Sequence, residues 1–155
     1  MKRSYNILLV EDNPGDVRLI EESLRTKDVQ YKMTRCETVD GAVQAVNRYT
    51  SHDPDVPDLM LLDYNLPGGE ARTVLSAAVA NPALAQTRKA VITSSVSPRD
   101  RQEALRTGAE CFIYKAPDLE SFLSEVGQAI VKLLSQPRSE NASADELNPL
   151  GGQAG

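Results

Sequence analysis

Histidine and cysteine are scarce in this chain of 155 residues. The two cysteines, Cys36 and Cys111, are too few for a disulfide framework. They also lack the close spacing of a metal knuckle, and they read as reduced, mostly buried thiols. The one histidine, His52, stands in the segment HDPDVPD without the partners that a metal site needs. It reads as solvent-exposed, with Asp53 and Asp55 keeping that loop soluble. No apolar run is long enough to span a bilayer, so no membrane partner is expected. The N-terminal MKRSYNILLVED begins like a signal peptide, but its apolar stretch is only Ile7 to Val10 and acids follow at once. It reads as the first strand of a cytoplasmic protein. Excess positive charge is also missing: the net charge is −5, and the basic residues form no stripe. Nucleic acid is therefore not expected as a partner, because its phosphates would be repelled.

What is present alternates. Ile7-Leu8-Leu9-Val10, Leu59-Met60-Leu61-Leu62, Ala90-Val91-Ile92 and Phe112-Ile113-Tyr114 are short apolar runs without polar interruption. Runs of this kind suit strands buried on both faces of a parallel sheet. Tyr31 to Arg35, interleaved with polar residues, reads as an edge strand. Helical spacing fills the gaps. Val17, Ile20 and Leu24 mark a first helix, started by Asn13 and Pro14. Val39, Val43 and Val46 mark a second. Val74, Leu75 and Ala78 mark a third that ends near Asn81-Pro82. A fourth runs from Pro98 to Gly108, with proline early and glycine late. Leu119, Phe122, Val126, Ile130 and Leu133 line a fifth. Five strands alternating with five helices predict an α/β domain with a parallel sheet and right-handed crossovers. The domain covers 1–136. After it, RSENASADELNPLGGQAG is poor in large apolar residues, and 137–155 reads as a disordered tail.

Such sheets carry their chemistry at the carboxyl ends of the strands. The first strand ends in Glu11-Asp12, the third in Asp63, the fourth in Thr93-Ser94 and the fifth in Lys115. Three carboxylates, hydroxyls and one ammonium thus meet on one rim. Clustered carboxylates repel each other, and Mg²⁺ relieves that cost because it is hard and needs few protein ligands. A metal, a lysine and a hydroxyl can together hold a phosphoryl group, which a carboxylate can accept as an acyl phosphate.

These residues resemble the receiver domains of two-component response regulators, in the stand-alone form of the chemotaxis regulator. ILLVEDN, LMLLDYNLPGG, VITSS and FIYKAP carry the resemblance, which covers about Asn6 to Leu134. It implies a flavodoxin-like (βα)5 doubly wound sandwich with strand order 2-1-3-4-5. It implies Asp63 as phosphoacceptor, with Mg²⁺ on Glu11, Asp12, Asp63 and the backbone carbonyl of Asn65. Thr93, Ser94, Lys115 and Phe112 would contact the phosphoryl group or switch with it. The chain would take its phosphoryl group from a sensor histidine kinase and signal by protein contact. It would catalyse only its own phosphoryl transfer and dephosphorylation.

VEDNPGDVRLI, the DxNLP segment and NPALAQ resemble a narrower group, the single-domain regulators of bacterial phytochrome-type histidine kinases. That resemblance implies a homodimer through helix 4, strand 5 and helix 5. The broad apolar stripe of helix 5, with Phe122, Val126, Ala129, Val131 and Leu134, is expected to form its face.

Two departures stand out. The family has a cis Lys-Pro step after strand five, whereas Ala116 intervenes here. A cis bond before alanine would cost about 2.5–4 kcal/mol, so the geometry of this loop is open at this point. The third loop reads Pro67-Gly68-Gly69-Glu70-Ala71-Arg72, in place of the family's acid and glycine. Rival functions fit less well. A phosphatase of the haloacid type wants a second aspartate two residues after the nucleophile, where this chain has Asn65. A flavin-phosphate binder wants a phosphate-holding loop where Glu11-Asp12 would repel the ligand. A degenerate receiver acting only as a scaffold is the remaining alternative.

Overall fold

The computed structural model describes residues 3–136. The tail expected over 137–155 lies outside them. Ten main elements alternate. They are β1 (Ser4–Val10), α1 (Pro14–Arg25), β2 (Gln30–Cys36), α2 (Val39–Arg48), β3 (Leu59–Asp63), α3 (Ala71–Ala80), β4 (Arg88–Thr93), α4 (Pro98–Thr107), β5 (Cys111–Tyr114) and α5 (Leu119–Ser135). All strand pairs are parallel, and the order is β2-β1-β3-β4-β5.

The strands are apolar throughout because both faces of the sheet are covered. Side chains alternate between the faces. Ile7 and Leu9 join Leu59, Leu61 and Ile92 in one core under α1 and α5. Leu8 and Val10 join Met60, Leu62 and Val91 in the other, under α2, α3 and α4. β2 shows the edge pattern, exposed and half-buried by turns.

Local signals start and stop the helices. The Asn13 side chain accepts from Gly15 N at 2.8 Å, with Pro14 beginning α1. Gly108 ends α4 at φ 132°, where a β-carbon would also meet Val79 at 2.6 Å. Asn81, after α3, caps a 3₁₀ turn at Pro82–Leu84 and donates to Val46 O and Tyr49 O at the end of α2.

β4 begins earlier than the run Ala90-Val91-Ile92, and its first two residues are buried cations. Lys89 donates to Leu84 O at 2.8 Å and to Thr87 O at 2.9 Å. Arg88 reaches Glu110 at 3.3 Å and Gln136 O at 2.6 Å.

The face expected on α5 needs correction. Phe122, Val126 and Leu134 lie inside the α1–α5 core at 3%, 0% and 9% exposure, and Ala129 and Val131 pack half-buried against it. The stripe is broad because α5 serves two neighbours, the sheet and α1. Their approach is so close that a β-carbon on Gly127 would sit 2.5 Å from Ser23 O. The apolar side chains left open on this side are Val96, Tyr114 and Leu119.

No helix among the described residues is long and apolar enough to cross a membrane. His52 is exposed, and both thiols are free and half-buried. There is no cis peptide among the described residues, so the Lys115–Ala116 bond is trans.

Candidate functional site

Parallel packing brings the ends of β1, β3, β4 and β5 to one rim. β3 is wholly buried, and its last residue, Asp63, reaches the rim with 7% of its surface exposed. Glu11, just past β1, is fully buried, while Asp12 is exposed. These three carboxylates each offer an oxygen within 4.8 Å of the other two. Lys115, just past β5, is 9% exposed and turns its ammonium into the cluster. It lies 3.3 and 3.4 Å from the two Glu11 oxygens, 2.8 Å from Asp16 Oδ2 and 3.5 Å from Asp63 Oδ1. A cleft of about 400 Å³ opens over these groups, lined also by Asn65, Ser94 and Pro117.

The electrostatics follow from crowding. Three carboxylates, those of Glu11, Asp16 and Asp63, face one ammonium. Burial pushes the Glu11 carboxyl up, its hydrogen bond with Asp63 adds to this, and the Lys115 charge only partly offsets them. Its pKa rises to about 8. Burial also works against the charged form of Lys115. The hydrogen bond that Lys115 donates to Asp16 and the charges of Asp63 and Glu11 outweigh it, so its pKa stands above the usual lysine value.

Thr93 and Ser94 divide their positions. Thr93 is completely buried and its Oγ1 accepts from Ser95 N at 3.0 Å, whereas Ser94 is exposed at the cleft. Phe112 is half-buried on the α4 side, its ring 6.3 Å from that of Tyr64 and tilted 60°. Asn65 N donates to Asp63 Oδ1 at 3.2 Å, which steadies that carboxylate.

A sequence model of the response regulator receiver domain matches residues 7–127. The chain belongs to this family. This receiver is similar to the response regulator Rcp1 of Synechocystis sp. (strain ATCC 27184 / PCC 6803 / Kazusa). The two are 29% identical over 121 residues, which is 77% of this chain and 82% of Rcp1. Among solved structures it resembles that of the phosphorylated cyanobacterial phytochrome response regulator RcpA. The TM-score is 0.77 at 28% identity, over 88% of this chain and 100% of the other. The Mn²⁺-bound form of Rcp1 gives a TM-score of 0.74 at 27% identity, over 87% of this chain and 99% of the other.

Four residues of this receiver's site escaped the sequence reading. Asp16, in the first turn of α1, makes the shortest contact to Lys115. Arg35, at the end of β2, donates to Glu11 O and Asp12 O at 3.0 Å each, and so pins the backbone that presents both carboxylates. Tyr64, next to Asp63, donates to Glu103 on α4 at 3.3 Å. Glu103 also meets Arg72 at 3.2 Å, and Arg72 pairs with Glu70 in the glycine-rich loop. Ser95 donates to Asp100 Oδ2 at 2.7 Å and ties the loop after β4 to α4. Only the loop around Ser95 had a usable signal: in SVSPRD, Ser97 and Asp100 stand at helix-capping spacing just after it.

The donor set fits a hard divalent cation. Its oxygens converge at ligand spacing, and among the described residues no histidine or cysteine joins them.

Proposed function

We propose that this receiver accepts a phosphoryl group on Asp63 from a sensor histidine kinase of the bacterial phytochrome type, and signals by protein contact. One observation carries the reading. The Asp63 carboxylate ends the most buried strand beside Glu11 and Asp12, with Lys115 at 3.5 Å on its other side. That is the parts list for phosphoryl transfer: a fixed acceptor, a place for a metal and a cation for the phosphoryl oxygens. The likenesses to RcpA, solved in phosphorylated form, and to Rcp1, solved with Mn²⁺, support the choice of chemistry and of partner class.

An Asp63 oxygen attacks phosphorus in line. The bond from phosphorus to the donor's histidine nitrogen breaks, and the imidazole leaves with its electron pair and recovers a proton from solvent. Glu11, Asp12, Asp63 and the Asn65 carbonyl would hold Mg²⁺, whose charge offsets that of the phosphoryl oxygens. Lys115 binds an oxygen of the same group. Thr93 reports the event by exchanging its bond from Ser95 N for one to the phosphoryl group, and Ser94 stands at the mouth. Tyr64 and Phe112 carry the change toward α4. The protein's catalysis is confined to its own phosphorylation and dephosphorylation, and its setting is the cytoplasm. A homodimer across α4, β5 and α5 belongs to the same proposal, with Tyr114 and Leu119 as its open apolar side chains at 39% and 60% exposure.

Acetyl phosphate with Mg²⁺ tests the reading, with intact mass as the readout. Wild type should gain one phosphoryl group and Asp63→Asn none. A labelled Asn variant would move the site elsewhere, and an unlabelled wild type would leave a scaffold that works without phosphorylation.

A further inference from the structure

Lys115 is the group that an anion on Asp63 needs, and in this structure its best partner is another residue. Its hydrogen bonds run to Asp16 at 2.8 Å and to Glu11 at 3.3 and 3.4 Å, while Asp63 is reached only at 3.5 Å. Asp16 is not one of the three carboxylates that converge at ligand spacing. It lines the same cleft from the first turn of α1, with 26% of its side chain exposed. An ammonium has three N–H donors and one position. An anion on Asp63 that draws the ammonium closer than its present 3.5 Å therefore pulls against the contact to Asp16.

We propose that Asp16 is a positioning residue: it tethers the Lys115 ammonium to the α1 wall and competes with a phosphoryl group on Asp63 for it. The tether makes the unmodified receiver resist anions, so Lys115 moves only when the phosphoryl group is bound strongly enough to displace a carboxylate. The switch is then a choice of partners for one cation, and the tether sets its threshold. This rests on the receiver reading of Asp63.

Two probes with opposite charge test it: Mg²⁺ alone, and beryllofluoride with saturating Mg²⁺ as a stable phosphoryl mimic. Both are titrated by NMR into wild type, Asp16→Asn and Asp16→Glu. Asp16→Asn should bind beryllofluoride about threefold or more tightly, since a partly exposed ion pair no longer holds Lys115. Its Mg²⁺ affinity should stay level or fall, because a negative charge has left the cleft. Asp16→Glu should restore wild-type behaviour. In a Lys115→Met background, Asp16→Asn should change beryllofluoride binding little, because there is no ammonium to release.

An unchanged or weaker beryllofluoride affinity in Asp16→Asn would overturn the proposal. Weakening of both probes with a lower melting temperature would make Asp16 a structural residue. A gain that persists without Lys115 would reduce it to a general repulsive charge. A wild-type chain that takes Mg²⁺ but no beryllofluoride would remove the receiver reading, and the tether with it.

Discussion

Two buried lysines lie at opposite ends of the same sheet, and their partners could hardly differ more. Lys89, near the start of β4, is 5% exposed and bonds two backbone carbonyls, Leu84 O and Thr87 O. Lys115, just beyond the end of β5, is 9% exposed and faces three side-chain carboxylates. Backbone carbonyls are neutral and fixed, and they take no proton near neutral pH. Carboxylates can bind a proton, a cation or a phosphoryl group, and each of these changes what the lysine sees. Burial has the same cost at both ends. At the amino end, two fixed carbonyls that do not change offset part of it. At the carboxyl end it is offset by groups whose charge depends on conditions. The first arrangement locks the sheet and the second lets it respond.

The largest expected effect breaks the locked end. Lys89→Met removes the donor of two hydrogen bonds and leaves two carbonyls in a buried setting, while the methionine keeps most of the packing. Each lost bond to a charged group counts, but relief of the ammonium's own desolvation offsets part of the loss. The net destabilisation should be about 2 kcal/mol in urea unfolding. Mg²⁺ affinity should not change. If it fell with stability, the two ends of the sheet would be coupled and the contrast between them would be false.

A smaller effect sharpens the responsive end. Asp12→Ala removes one member of the carboxylate trio, and it is the exposed one. Mg²⁺ affinity measured by calorimetry should fall about tenfold. Stability without metal should hold or rise slightly, because a repulsive charge has gone from beside Glu11 and Asp63. Equal Mg²⁺ affinity in variant and wild type would exclude Asp12 as a ligand.

The same contrast explains what could be read from the residues alone. β3 was legible because strands covered on both faces are apolar at every position, and Leu59 to Leu62 is such a run. The start of β4 was not, since Arg88 and Lys89 look like solvated residues. They are buried only because Glu110, Gln136 and two carbonyls meet them from other elements. At the rim, Glu11, Asp12, Asp63 and Lys115 were legible because the fold rule gathers strand ends. Asp16 and Arg35 follow no such rule. An acid in a first helical turn has a sufficient reason in the helix dipole, and an arginine on an edge strand has one in solvent. The α5 stripe misled for a related reason. Its width counts the surfaces it covers, and both turned out to belong to the same chain.

The smallest expected effect concerns pH and singles out Glu11. With its pKa raised to about 8, the Glu11 carboxyl is largely protonated at neutral pH before metal enters. An ordinary unfolded carboxyl releases its proton near pH 4 to 5. Between that range and about pH 8 the folded chain binds more protons than the unfolded one, so its stability without metal falls as pH rises. Lys115 adds nothing to this slope, because its raised pKa places its titration above the window. Mg²⁺ takes the deprotonated carboxylate, so the sign for metal is opposite and its affinity rises as the proton leaves. From pH 7.5 to 8.5 the ionised fraction of such a group grows about threefold, and the Mg²⁺ association constant should follow it before levelling off. Glu11→Gln should bind Mg²⁺ more weakly and lose this pH dependence, while Lys89→Met should keep it. A flat profile in wild type would mean that Glu11 is already ionised in the metal-free site. The contrast with Lys89 would then lie in which groups surround each lysine and no longer in whether their charge can change.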